Sequence, residues 1–250
     1  MTFHDSKEHK AILPDLTEVK CPIEGFENAD EYIRKSYHGG WCYVNKNKKN
    51  SKKNVNVIKG GCTADVNSLY PSMMHSESGN YYPWGKPMWF TGEIPEEVLQ
   101  KSKENKLYYF VRIRTRFKIK KDKLPCIQIK NNIMYHGFAR EWLETSDING
   151  KPVYKDIDGN IVKARPELIL TQTDYELIKD HYDLYDTEIL DGCYFRTTIG
   201  LFDKYIDKWA EIKKTSKGAM RTWAKLFLNN LYGKLASSTN SSYKLPYFED

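Results

Sequence analysis

Long apolar runs are missing from this chain: none approaches the roughly 18 residues that cross a bilayer, so an integral helical membrane protein is not expected. Cysteine is scarce and unmatched. Cys21, Cys42, Cys62, Cys126 and Cys193 are an odd set of five with no Cys-x-x-Cys pair. Neither a disulfide framework nor a thiolate zinc site is suggested, and a reducing compartment fits best. The stretch Met1 to Lys10 lacks the apolar core of a secretory signal, which points to the cytoplasm. Internal repeats and a long flexible linker are also lacking. What is present argues for a folded protein: 250 residues, 40% hydrophobic and 14% aromatic, are enough for one or two domains with a genuine core and too apolar for a disordered chain.

Acidic residues are absent from one segment in particular. Between Lys213 and Lys234 stand Lys213, Lys214, Lys217, Arg221, Lys225 and Lys234 and no Asp or Glu, so the chain's net charge of +6 resides there. An excess concentrated this way points to an acidic partner more strongly than the total does.

The chain opens with little pattern. Asn45 to Asn54, lysines among asparagines, reads as a solvated loop. Val55 to Ile58, a Gly60-Gly61 turn, and Cys62 to Val66 read as short apolar runs, the last a buried strand leading to Asp65. From Val111 to Lys120 the pattern alternates with period two, placing Arg112, Arg114, Arg116, Lys118 and Lys120 on one face of a strand. That basic face suits phosphates or, equally, a surface strand that is solvated or paired with acids. Further strands are expected at Cys126 to Ile129 and Leu168 to Thr171, with a hairpin from Val153 to Val162 turning on Asp158-Gly159.

Thr173-Asp-Tyr-Glu176 has capping-box spacing and predicts a helix to about His181. Helical spacing then dominates: Leu201, Phe202, Tyr205, Ile206, Trp209 and Ile212 on one segment, and Met220, Trp223, Ala224, Phe227, Leu228, Leu231 and Leu235 on the next. Only Thr215 to Gly218 separates the two, so they should fold back as an antiparallel hairpin. On the second helix Lys225, Asn229 and Tyr232 fall within about 60° of one another. This stripe offers an ammonium for a phosphate, an amide for hydrogen bonding and a ring for a base, although an ordinary solvated helix face has the same composition.

Lys225-Leu-Phe-Leu-Asn229-Asn-Leu-Tyr232-Gly233 resembles the fingers motif Lys-x-x-x-Asn-Ser-x-Tyr-Gly of family-B DNA polymerases. Asp65-Val66-Asn67-Ser68-Leu69-Tyr70-Pro71 resembles the palm motif of the same family, and Tyr37-His38-Gly39-Gly40 its Tyr-x-Gly-Gly element. The three occur in the family's order. The run from Pro166 to Ser237 is most similar to the protein-primed phage branch. The resemblance implies an α+β fold: part of a right-hand polymerase, with a palm sheet portion, a sheet-rich insertion and an antiparallel two-helix fingers hairpin. It divides the chain into a leading segment over 1–36, palm over 37–76, an insertion over 77–200 contacting terminal protein and DNA, fingers over 201–236, and the start of a following region over 237–250.

The resemblance also assigns roles. Asp65 and the Val66 carbonyl would hold catalytic Mg²⁺. Ser68 and the amides of Leu69 and Tyr70 would receive phosphate oxygens, with the Tyr70 ring excluding a ribose 2′-hydroxyl. Lys213 and Lys225 would neutralise the triphosphate, Lys213 only if the hairpin folds back across Gly218. Asn229, Tyr232 and Gly233 would line the nascent base pair, Asn230 standing where the family has serine. Tyr37, Gly39, Gly40, Arg221 and Lys234 would contact DNA. Implied partners are DNA primer-template, deoxynucleoside triphosphates and a terminal protein, without a membrane, in the host cytoplasm.

The family's second metal-binding carboxylate comes from a Tyr-x-Asp-Thr-Asp-Ser element after the fingers, which is not found before Asp250. Tyr154 to Gly159 and Tyr185-Asp186-Thr187-Glu188 precede the fingers and are poor substitutes. The expectation is therefore a polymerase portion, inactive by itself and lacking second aspartate, thumb and proofreading exonuclease. The alternative is a non-catalytic nucleic-acid or terminal-protein binding module derived from such an enzyme.

Overall fold

The computed structural model describes residues 12–41, 61–128, 138–143, 145–146, 152–155, 161–162, 165–235 and 237. In chain order the elements are α1 (Ala29–Arg34), α2 (Leu69–Met74) with a 3-10 turn after it (Ser76–Ser78), β1 (Tyr82–Thr91), α3 (Glu96–Lys103), β2 (Leu107–Ile119), β3 (Ile127–Gln128), β4 (Phe138–Ala139), β5 (Glu141–Trp142), β6 (Thr145–Ser146), β7 (Pro152–Lys155), β8 (Ile161–Val162), β9 (Glu167–Thr171), α4 (Gln172–His181), β10 (Tyr182–Thr198), α5 (Asp203–Thr215) and α6 (Gly218–Leu235). The chain separates into two units, one comprising 1–49 and 83–197, the other 50–82 and 198–250.

The first unit is built on an open sheet of order β1-β10-β2-β5, with β9 also pairing β2. The long partners β2 and β10 run antiparallel from Tyr182 opposite Ile119 to Arg196 opposite Leu107. Val111, Ile113, Thr115 and Phe117 are fully buried while the residues between them are not, as the period-two pattern requires. Their apolar side joins Phe90, Val98, Leu168 and Ile178 in the main core, and a second cluster gathers Cys21, Tyr32, Phe110, Cys193 and Phe195. Gly192 is required where β10 passes β2: a Cβ there would lie 2.3 Å from both the Phe110 carbonyl oxygen and the Phe90 ring.

Three of the five cations expected on the basic face of β2 are paired with carboxylates of the same unit. Arg112 pairs with Asp191 and lies 3.5 Å from Glu167, Arg114 pairs with Glu167, and Arg116 with Asp186. Asp191 is itself buried and accepts from the Tyr32 hydroxyl at 2.8 Å. For Arg112, Arg114 and Arg116 the acid-paired reading holds, while Lys118 is exposed and Lys120 donates to the Lys179 carbonyl at 2.8 Å. Asp186 and Glu188 of the Tyr185-Asp-Thr-Glu run belong to the same set of pairs, Glu188 also meeting Arg165 at 2.8 Å.

Two expectations are corrected. Residues 61–66 form no strand and are exposed; no described strand pairs with them, and a short strand without a ladder partner gains too little to order. The cap of α4 is Thr171, two residues ahead of the expected Thr173: its side chain accepts from the Asp174 N–H, and its hydroxyl donates back to the Asp174 carboxylate at 2.7 Å. The strand at Leu168 to Thr171 forms, that expected at Cys126 to Ile129 is present at Ile127–Gln128 as β3, and β7 pairs with β8 as the expected hairpin. The Asn45 to Asn54 loop, Val55 to Ile58 and the Asp158-Gly159 turn lie outside the described residues.

The second unit carries the helical hairpin. Helices α5 and α6 are joined only by Ser216 and Lys217, and they fold back as the short polar connection predicts. Trp209 stacks on Phe227 with ring centroids 4.2 Å apart, and the Tyr205 hydroxyl donates to the Phe227 carbonyl. Ala224, Leu228 and Leu231 take the buried side of α6, whereas Met220, Trp223, Phe227 and Leu235 of the expected apolar stripe remain substantially exposed. A pair of helices has one mutual seam, too narrow for the whole stripe.

Candidate nucleotide site

Residues of the palm-like and fingers-like sequences meet inside the second unit. Asp65 and Val66 lie on an exposed, irregular approach to α2. Ser68 caps that helix with φ of 52°, a left-handed conformation unusual for a side-chain-bearing residue and often found where a site fixes backbone. The N–H groups of Leu69 and Tyr70 fall in the first turn of α2, where no intrahelical acceptor exists.

Two contacts join this segment to the hairpin. The Lys213 ammonium donates to the Ser68 hydroxyl at 2.8 Å. The Tyr70 and Tyr232 rings lie face to face, centroids 4.6 Å apart and planes only 6° from parallel. The fold-back that Lys213 needs is therefore present, and Arg221 braces it by donating to the Lys213 carbonyl at 2.8 Å. Lys225, Asn229, Gly233 and Lys234 are exposed on α6, which also carries Tyr232. The stripe geometry is realised, with its aromatic member set against the tyrosine of the other motif.

Tyr37, Gly39 and Gly40 belong to the first unit and are exposed. Between them, His38 is engaged: its Nε2 lies 3.2 Å from the Asp174 carboxylate. Burial works to raise the Asp174 carboxyl, but hydrogen bonds from His38 and Thr171 outweigh it and hold the group below its ordinary value. The imidazole thus ties this loop to the N-terminus of α4, which is also where acidic charge is favoured.

Sequence reasoning passed over a junction at the foot of α5. The Ser76 N–H donates to Asp203 at 2.9 Å, and His75 Nε2 lies 3.1 Å from Asp207 and 4.0 Å from Asp203. Its available signal was Gly200, whose φ of 77°, together with the 3.1 Å that would separate an added Cβ from an Asp203 oxygen, marks a specialised entry into the helix.

Among the described residues no three His, Cys, Asp or Glu side chains gather as a metal-holding group. Nor is any described helix long and apolar enough to cross a membrane.

A family model described as DNA polymerase type B, organellar and viral, matches residues 10–250. The DNA polymerase of Bacillus phage Nf is 39% identical over 221 residues, covering 88% of this chain and 33% of its own length. That of Bacillus phage phi29 is 37% identical over 245 residues, 98% of this chain and 36% of its own. Among solved structures, phi29 DNA polymerase complexed with primer-template DNA and incoming nucleotide substrates superposes with a TM-score of 0.64 at 35% identity, covering 92% of this chain and 33% of that one. The chain spans about a third of the length of these relatives. With the motifs, the antiparallel sheet and the helical hairpin in agreement, the chain belongs to the organellar and viral type B DNA polymerases.

Proposed function

We propose that this chain is the palm-to-fingers portion of a DNA-directed DNA polymerase, binding an incoming deoxynucleoside triphosphate and primer-template and supplying one carboxylate for nucleotidyl transfer to a 3′-hydroxyl. The observation that carries the reading is the meeting of Ser68 and Tyr70 with Lys213 and Tyr232. These contacts join the carboxylate-led segment to the cationic, aromatic helix, which supports reading the two as one nucleotide site.

Asp65 and the Val66 carbonyl are hard oxygen donors on an exposed stretch, which fits Mg²⁺, an ion that keeps water and takes phosphate oxygens beside one or two carboxylates. When bound, Mg²⁺ supplies charge neutralisation between the reacting oxygens. The chain's own groups do the positioning. Lys213 and Lys225 offset triphosphate and pyrophosphate charge, the Ser68 hydroxyl and the Leu69 and Tyr70 amides receive phosphate oxygens, and the Tyr70 ring bars a 2′-hydroxyl. Asn229, Tyr232 and Gly233 line the base pair. Tyr37, Gly39, Gly40, Arg221 and Lys234 contact DNA.

In this reading 37–76 is palm, 77–200 an insertion toward DNA and a terminal protein, and 201–236 the fingers, acting in the host cytoplasm during phage genome replication. The structural neighbours that hold primer-template DNA and nucleotide support the DNA and nucleotide partners. The test is primer extension by the polymerase bearing Asp65→Ala. Loss of extension with DNA binding retained is expected. Unchanged extension refutes the reading, and salt-sensitive DNA binding indifferent to Mg²⁺ would replace it with a non-catalytic binding module.

A further inference from the structure

The segment from Ser68 to Ser76 is pinned to α5 at two places, and the pins differ in kind. Ser68 meets Lys213 near one end of the helix, while Ser76 and His75 meet Asp203 and Asp207 near the other. The two run antiparallel, with the pins about 15 Å apart along the helix axis. At the Ser68 end the bond is one ammonium on one hydroxyl, made by a residue in left-handed backbone. A triphosphate is a far stronger partner for that ammonium than a neutral hydroxyl is.

At the other end the groups on α5 that hold the palm-like segment are carboxylates, which a phosphate does not replace. Asp203 accepts the Ser76 N–H at 2.9 Å, and His75 Nδ1 accepts the Glu77 N–H at 3.1 Å, which leaves the imidazole proton on Nε2, facing Asp207. The titratable groups around His75 are Glu77, Asp203 and Asp207, all acidic. The Met73 carbonyl at the end of α2 takes donors from Asn80 at 3.0 Å and the Tyr82 hydroxyl at 2.8 Å. Gly200, at positive φ, precedes α5, and its carbonyl accepts the Asp203 N–H at 3.3 Å where the chain enters the helix. One end is held by contacts that an anion displaces and the other by contacts that it does not.

We infer that the junction of His75 and Ser76 with Asp203 and Asp207 is the pivot of the nucleotide site, Asp203 and His75 being positioning residues that keep the foot of α5 on the palm-like segment while Lys213 exchanges Ser68 for triphosphate. The inference rests on reading this unit as a nucleotide site. It concerns residues outside the three motifs, which touch no substrate and act through Lys213 and Tyr232.

The test uses the full chain with dATP and Mg²⁺ as probe, reading dATP affinity by titration and amide hydrogen exchange by mass spectrometry. Asp203→Ala is expected to weaken dATP binding about tenfold or more, the loss of one charge-assisted hydrogen bond, and to speed exchange at 69–74 while β2 stays protected. Asp203→Asn still accepts the Ser76 N–H and should restore affinity to within about threefold of the unaltered chain. Lys225→Ala should weaken dATP binding and leave exchange at 69–74 unchanged. Unaltered dATP affinity in Asp203→Ala overturns the pivot alone, as does faster exchange spread equally over 69–74 and β2, the mark of general destabilisation. Failure of the unaltered chain to bind dATP overturns the nucleotide reading and the positioning role with it.

Discussion

At the residue scale the sharpest steric statement belongs to Gly192. Its absent Cβ is what lets β10 pass the Phe110 carbonyl and the Phe90 ring, and backbone cannot step aside as a flexible side chain can. Gly192→Ala should cost about 1–3 kcal/mol of stability by overpacking, read as a lower urea midpoint with an unchanged denaturant slope. Tyr70 makes a functional prediction. Replacing it with valine in the polymerase should raise ribonucleotide incorporation relative to deoxyribonucleotide; an unchanged ratio would remove the ring from sugar selection. The residues of the proposed site could be named from the sequence because short motifs fix their identity and order. The Asp203 to Ser76 bond was not, because it joins residues far apart in sequence and one partner is a backbone N–H, which every residue but proline carries.

At the element scale, α4 shows how local rules compete. Two Thr-x-x-acid spacings overlap, Thr171 to Asp174 and Thr173 to Glu176, and the capping-box rule, which asks for Glu or Gln at the third position, favours the second. The first wins because Asp174 also meets His38, so the cap and the loop tether share one carboxylate. Thr171→Ala should cost about 0.5–2 kcal/mol. Asp174 has a folded pKa below its unfolded value, so its contribution is present above the unfolded pKa, near 3.8, and fades as pH falls through the lower folded one. An acid titration of stability in Asp174→Asn should therefore lack part of the loss seen in the unaltered chain below about pH 4. The hairpin of α5 and α6 was readable from period and linker length, and β2 from its alternation. What the strand's cations do was not readable, since period two places them on a face without saying what else is there. Their acids come from β9 and β10, in sequence well beyond the strand.

On the scale of the whole molecule, charge is distributed in two modes. The arginines of β2 are consumed by Asp186, Glu167 and Asp191, whereas no carboxylate stands in sequence between Lys213 and Lys234. DNA affinity should follow the second set. Neutralising Lys214, Lys217 and Lys234 together should lower the slope of log affinity against log salt by about 0.7–0.9 for each phosphate that is no longer neutralised. Converting Arg114 to glutamine should leave that slope unaltered, and an equal drop would assign the strand to the DNA surface after all. The charge excess was visible in the sequence because an acid-free stretch needs no partner to be recognised.

The parallel tyrosines bear on which anions gain access. A stacked aromatic pair is worth about 0.5–1.5 kcal/mol beyond its buried area, and a base that settles on Tyr232 must first part that ring from Tyr70. The base regains about 1–3 kcal/mol by stacking on the ring it meets, whereas inorganic tripolyphosphate, having no planar part, reaches the same ammonium groups without parting the rings and gains nothing from them. Tyr232→Leu should therefore weaken nucleotide binding and leave tripolyphosphate binding unchanged.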